Sequence, residues 1–72
     1  MWRKDHLLDT IMRDSVLVTL KDGQTFRGLF DGADENHLML IGAEYIKGDT
    51  VTKVDGTVFL PRDHVAYLQR PN

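Results

Sequence analysis

Val18-Thr19-Leu20-Lys21-Asp22-Gly23-Gln24-Thr25-Phe26-Arg27-Gly28-Leu29-Phe30 is the stretch on which the fold turns. Val16, Val18 and Leu20 alternate with Leu17 and Thr19, a period of two that marks a half-buried strand starting at Ser15. Lys21-Asp22-Gly23-Gln24 follows, and Asp-Gly between two alternating runs is the strongest short hairpin signal. The return strand, Thr25 to Ala33, places Phe26 and Phe30 on one face with Gly28 between them. A glycine inside a strand marks a bulge, a bend or a close backbone approach. That suits a sheet that must curl tightly.

Working outward, Asp31 to Asn36 is small and polar and reads as a loop or strand end. His37 to Ile46 is a third strand, with Leu38 and Leu40 inward, Met39 and Ile41 outward, and Gly42 allowing a further bend. Gly48 to Gly56 is an exposed connection with some β-propensity at Thr50, Val51 and Thr52. Thr57 to Leu60 is a fourth strand ended by Pro61, Arg62-Asp63 is a short turn, and His64 to Leu68 is a fifth strand with Val65 and Tyr67 in alternation. Upstream, Leu7, Leu8, Ile11 and Met12 form one apolar stripe at helical period. Asp5 stands at its start and Arg13 at its end, so Met1 to Asp14 is predicted to be a helix covering the sheet. The expected fold class is mainly β: an N-terminal α-helix (1-14), a strongly bent five-stranded antiparallel barrel (15-69) and a tail (70-72), all one domain.

Length and composition narrow the function. A 72-residue chain buries only roughly 60% of the surface its unfolded form exposes, so self-association is an expected source of stability. With no cysteine there are no disulfides and no thiolate metal site, and the three histidines lack paired ligand spacing, so no cofactor or metal is expected. No apolar run approaches the roughly 20 residues that cross a membrane. The charged N-terminus is no signal peptide, so the expected location is cytoplasmic. A formal charge of −2 argues against binding driven by bulk phosphate attraction, yet it leaves room for a local site repeated around an axis. There is no phosphate loop and no serine, histidine and acid set at recognisable spacing, which points away from an enzyme.

One helix and five meandering strands fit an SH3-like or an Sm-like barrel, and periodicity does not choose between them. The residue pattern does. Val18-x-Leu20-x-x-Gly23-x-x-Phe26-x-Gly28-x-Phe30-x-x-x-Asp34 resembles the first motif of Sm-like (LSm) proteins. His37-Leu38-Met39-Leu40-Ile41-Gly42-Ala43-Glu44 is similar to the Asn-Leu-Val-Leu stretch and following Ala-Glu of that family. Gly56 to Val65 resembles the second motif, which ends in Arg-Gly-Asp-Asn-Val. The resemblance covers Ser15 to Leu68 and suggests a divergent bacterial or phage-type member.

This resemblance implies a closed homo-oligomeric ring of about five to seven subunits, the fourth strand of one pairing with the fifth of the next. It also implies single-stranded RNA at the pore, where a base stacks against a loop residue and an arginine, and an asparagine oriented by an aspartate reads uracil. Asp34 matches the aspartate. The chain is then one residue short, so His37 takes the asparagine's place with Asn36 beside it. Pro61-Arg62 replaces Arg-Gly, and His64 holds another of the family's asparagine positions. The implied RNA-binding residues are therefore Asp34, Asn36, His37, Arg62 and His64. Two readings stay open for the key side chains. His37 either contacts a base or caps a turn, and Arg62 either touches RNA or pairs with Asp63 or Asp34. The same holds for the whole: an RNA scaffold or chaperone, or a structural ring or protein-interaction module without RNA. Phe26, Phe30 and Phe59 are expected in the core, and Tyr67 at a subunit interface.

Overall fold

A computed structural model describes residues 11–71. The central hairpin forms as its sequence dictates. Strand β1 (Ser15–Leu20) runs antiparallel to β2 (Thr25–Ala33) with Val18 opposite Phe26. Asp22 closes the turn by accepting the Gln24 N–H at 3.0 Å, while Gly23 adopts φ +94°, a backbone region open to glycine without steric cost. Strand β3 (His37–Lys47) pairs along β2, and beyond Lys47 a tight turn leads into β4 (Thr50–Lys53). Strand β5 (Val58–Pro61) pairs with the first half of β3, a 3₁₀ turn spans Arg62–His64, and β6 (Val65–Gln69) pairs with β1. The sheet has six strands in the order β4-β3-β2-β1-β6, with β5 also on β3.

Two features bend this sheet. Opposite Gly28, β3 carries an extra residue around Gly42, which takes φ +56°. A Cβ added to Gly28 would lie 3.0 Å from both the Ala43 Cα and the Ile41 carbonyl oxygen, so β2 and β3 approach here more closely than a side chain fits without the backbone giving way. The second bulge lies on β2 between Phe30 and Gly32. Curling brings Val16, Val18, Leu20, Phe30, Leu38, Leu40, Ala43 and Leu60 into one buried cluster, joined by Ile11. On the outer face Arg27 donates to Glu44 Oε1 from Nε at 3.0 Å and from Nη2 at 2.6 Å, a cross-strand pair between neighbouring strands.

Several expectations need correction. The N-terminal α-helix is contradicted. Residues 1–10 of that span lie outside the described residues, and Ile11 to Asp14 form a turn in which the Asp14 N–H donates to the Ile11 carbonyl at 2.9 Å. Arg13 sits at φ +67°, a left-handed conformation that ends a helix rather than continuing one. Its N–H donates to the Phe30 carbonyl, and the Phe30 N–H donates to the Asp14 carbonyl, so the ladder with β2 has already captured the chain. There is no α-helix among the described residues. Nor are there five strands: the connection expected between residues 48 and 56 contains β4, exposed along its whole length. Pro61 belongs to β5 instead of ending it one residue earlier, opposite His37. In β6, one residue of β1 spans two of β6 between Thr19 and Leu20. This bulge breaks the expected alternation, so Val65 and Leu68 both pack on the core while Tyr67 turns out, 55% exposed. Phe59 is not core either; it is 58% exposed on the outer face of β5, opposite Met39.

Among the described residues, β6 pairs only with β1 and β5 only with β3, which leaves one edge of each strand without a backbone partner. No helix among these residues is long and apolar enough to cross a membrane.

Candidate nucleic-acid interface

The β2–β3 turn is built by one carboxylate. Asp34 Oδ1 accepts the backbone N–H of Asn36 at 2.8 Å and of His37 at 2.6 Å. The Asp34 N–H in turn donates to the His37 carbonyl at 2.9 Å, which closes the turn on itself. An aspartate side chain suits this work because its short arm reaches backbone two residues on. These two N–H donors, and then the nearby imidazole, hold the Asp34 carboxyl below the usual carboxylate range.

The 3₁₀ turn then locks onto that loop. The Arg62 N–H donates to the Asn36 carbonyl at 2.8 Å, and Arg62 Nη1 donates to the Asp34 carbonyl at 3.1 Å. His37 lies in register with Pro61. Its imidazole places Nδ1 3.5 Å from Asp34 Oδ1 and meets the Phe59 ring edge-on, with centroids 6.3 Å apart at 88°. The His37 side chain remains 41% exposed. Asp34, Asn36, His37 and Arg62, separated by up to 28 positions in sequence, therefore meet at one end of the β3–β5 pair. His64 does not join them. It lies against the β1–β2 turn with Leu20, Lys21 and Asp22, and its carbonyl accepts the Lys21 N–H at 2.7 Å.

Sequence reading missed Phe59 at this cluster. The signal was present, since Phe59 shares the strand parity of Pro61 rather than that of Leu60, which faces inward. The arrangement offers a partly exposed imidazole beside a phenyl ring, a guanidinium and backbone groups at one exposed point. Those are the elements that stack on a base and hold its edge. Among the described residues no group of three or more histidine, cysteine or acidic side chains is placed to hold a metal ion.

The LSM domain model matches residues 6–70. The chain belongs to the LSM domain family. This LSM-domain chain is 35% identical over 63 residues to an snRNP Sm-like protein of Archaeoglobus fulgidus, covering 86% of the chain and 82% of that relative. Its fold is similar to a heptameric archaeal Sm protein, with a TM-score of 0.85 and 28% identity over 94% of this chain and 100% of the other. It is similar again to the Pyrococcus abyssi Sm protein solved with a uridine heptamer, with a TM-score of 0.83 and 30% identity over 97% and 100% of the two chains. The bent antiparallel sheet of this LSM-domain protein is thus the Sm sheet.

Proposed function

We propose that this chain, as one Sm-like domain, closes into a homo-oligomeric ring in the cytoplasm and binds single-stranded RNA at the Asp34–His37 turn and Arg62. The observation that carries the reading is the meeting of Asp34, Asn36, His37 and Arg62 at one exposed point. Ring closure is supported by the unpartnered edges of β5 and β6. An exposed strand edge invites pairing, and pairing β5 of one copy with β6 of the next would cover both. The exposed Phe59 and Tyr67 lie on these same two strands, which gives the junction apolar surface to bury. The heptameric relative and the relative bound to a uridine heptamer agree with both halves of the reading. Its role is binding rather than catalysis, as a scaffold or chaperone.

One observation favours the second reading, a ring that holds its fold without RNA. The Arg62 guanidinium already donates to the Asp34 carbonyl, which gives it a structural task in each subunit. Light scattering and oligonucleotide binding separate the two. A ring of several chains that binds labelled oligonucleotides, and loses them on His37→Ala or Arg62→Ala without dissociating, supports the first. A ring that binds no homopolymer at tens of micromolar supports the second.

A further inference from the structure

The base-reading group at this site is an imidazole, and its surroundings fix which end of it reads. Nδ1 is the ring nitrogen beside Asp34 Oδ1, 3.5 Å away. A lone pair aimed at a carboxylate would be repelled, so the neutral ring keeps its proton on Nδ1 and presents an unprotonated Nε2 at its other side. The group packed edge-on against the ring is Phe59, which offers no competing hydrogen bond. The charged side chains grouped with it on the two turns are Asp34 and Glu35 on one side, Arg62 and Asp63 on the other; Pro61, across the ladder, carries none. Because Asp34 accepts backbone N–H groups from both Asn36 and His37, the carboxylate is fixed in place and with it the tautomer it favours.

An acceptor at Nε2 discriminates between bases. The Watson–Crick edges of adenine and cytosine present an amino group, a donor. The only donor on the same edge of uracil is N3–H, flanked by two carbonyl oxygens that repel a lone pair. We propose that His37 is a specificity-determining residue that makes this site select adenine and cytosine, through the amino group each presents, over uracil. The proposal rests on the RNA-binding reading above and narrows its ligand class. It also departs from the uridine heptamer bound by the Pyrococcus relative.

The test is fluorescence anisotropy with labelled seven-nucleotide oligo-A, oligo-C and oligo-U at fixed salt and pH 8. One hydrogen bond corresponds to about fivefold in affinity. Oligo-A and oligo-C are expected to bind the wild type about fivefold tighter than oligo-U. His37→Phe keeps the stacking face and removes the acceptor, so its oligo-A to oligo-U ratio is expected near one. His37→Gln, which places a donor beside an acceptor, serves if the phenylalanine variant does not elute as the wild-type assembly; it is expected to favour oligo-U. Wild-type binding with an oligo-A to oligo-U ratio near one, or a preference for oligo-U, overturns this proposal while leaving RNA binding standing. Failure of every oligonucleotide to bind overturns the RNA-binding reading, and this one with it.

Discussion

Replacing Gly28 with alanine tests the packing on which the bent sheet depends. The new Cβ would stand 3.0 Å from the Ala43 Cα, 3.0 Å from the Ile41 carbonyl oxygen and 3.2 Å from the Ala43 Cβ. Two of these three neighbours are backbone atoms of β3, paired to β2 on one side and to β4 and β5 on the other, and cannot swing aside as a side chain would. Gly28 does not occupy the left-handed region, so the penalty is steric and not conformational. Overpacking of this kind costs about 1–3 kcal/mol. The substitution also narrows the unfolded ensemble, which returns about 0.4–1 kcal/mol. The net loss is then roughly 1–2 kcal/mol, and each kcal/mol lowers the melting temperature of a domain this size by about 4–8 °C. Thermal unfolding followed by circular dichroism, at one protein concentration because assembly makes the midpoint concentration-dependent, should fall by roughly 5–15 °C. Adding Ala43→Gly removes the 3.2 Å contact but neither backbone contact, so the double variant should recover no more than part of the loss relative to Ala43→Gly alone. An alanine variant that melts with the wild type would refute the close approach of β2 and β3 as the cause of the bend.

Three further outcomes are expected. Arg13→Gly should be neutral or stabilising by up to about 1 kcal/mol in urea titrations, because the left-handed backbone at φ +67° costs arginine more than glycine and the exposed 3.9 Å pairing with Asp31 contributes little. Asp34 has its carboxyl held below the usual range in the folded chain, so its contribution is present above the ordinary carboxylate pKa of about 4 and is lost as pH falls through the lower folded value. Asp34→Asn should therefore flatten the fall in urea midpoint below about pH 4, and an unchanged acid slope would show that other carboxyls dominate it. Phe59→Lys places a charge on the outer face of one free-edge strand, and light scattering should show the assembly breaking into smaller species; an unaltered mass would move the subunit junction away from β5.

Much of the sheet was legible because its signals are local. Period two in β1 and Asp22-Gly23 in the turn each act through neighbouring residues, and the structure keeps both. What was misread depends on contacts distant in sequence. The helical stripe of Leu7, Leu8, Ile11 and Met12 is a correct count of apolar spacing, but Ile11 is buried in the barrel core while Arg13 and Asp14 are already bonded to Phe30, 17 and 16 positions on by number. Ladder bonds with β2 override a weak local preference at the chain's entry into the sheet. The alternation expected along the last strand, with Val65 and Tyr67 on one face, was misjudged for a related reason. Alternation is reliable until a bulge shifts it, and the bulge in β6 depends on its partner β1.

The candidate site shows the same division at finer grain. Asp34 declares itself from sequence, since an aspartate two and three residues before its backbone partners forms a self-contained turn. The meaning of Arg62 does not, because it depends on where the second motif lands against the first. With proline at position 61, the arginine one residue on lies outside β5, at the start of the 3₁₀ turn. From there its backbone N–H reaches Asn36 and its guanidinium reaches the Asp34 carbonyl, so the shift converts a strand-borne side chain into a clamp between two turns. His37 is held by the same clamp, in register with Pro61 and facing Asp34. The two departures from the family pattern, His37 and Pro61-Arg62, are thus coupled: the residue that replaces the amide is positioned by the arginine that moved. In urea titrations of both single variants and the double variant, His37→Ala combined with Arg62→Ala should therefore lose less stability than the two single effects added, the signature of two residues acting through one contact network; strict additivity would refute the coupling.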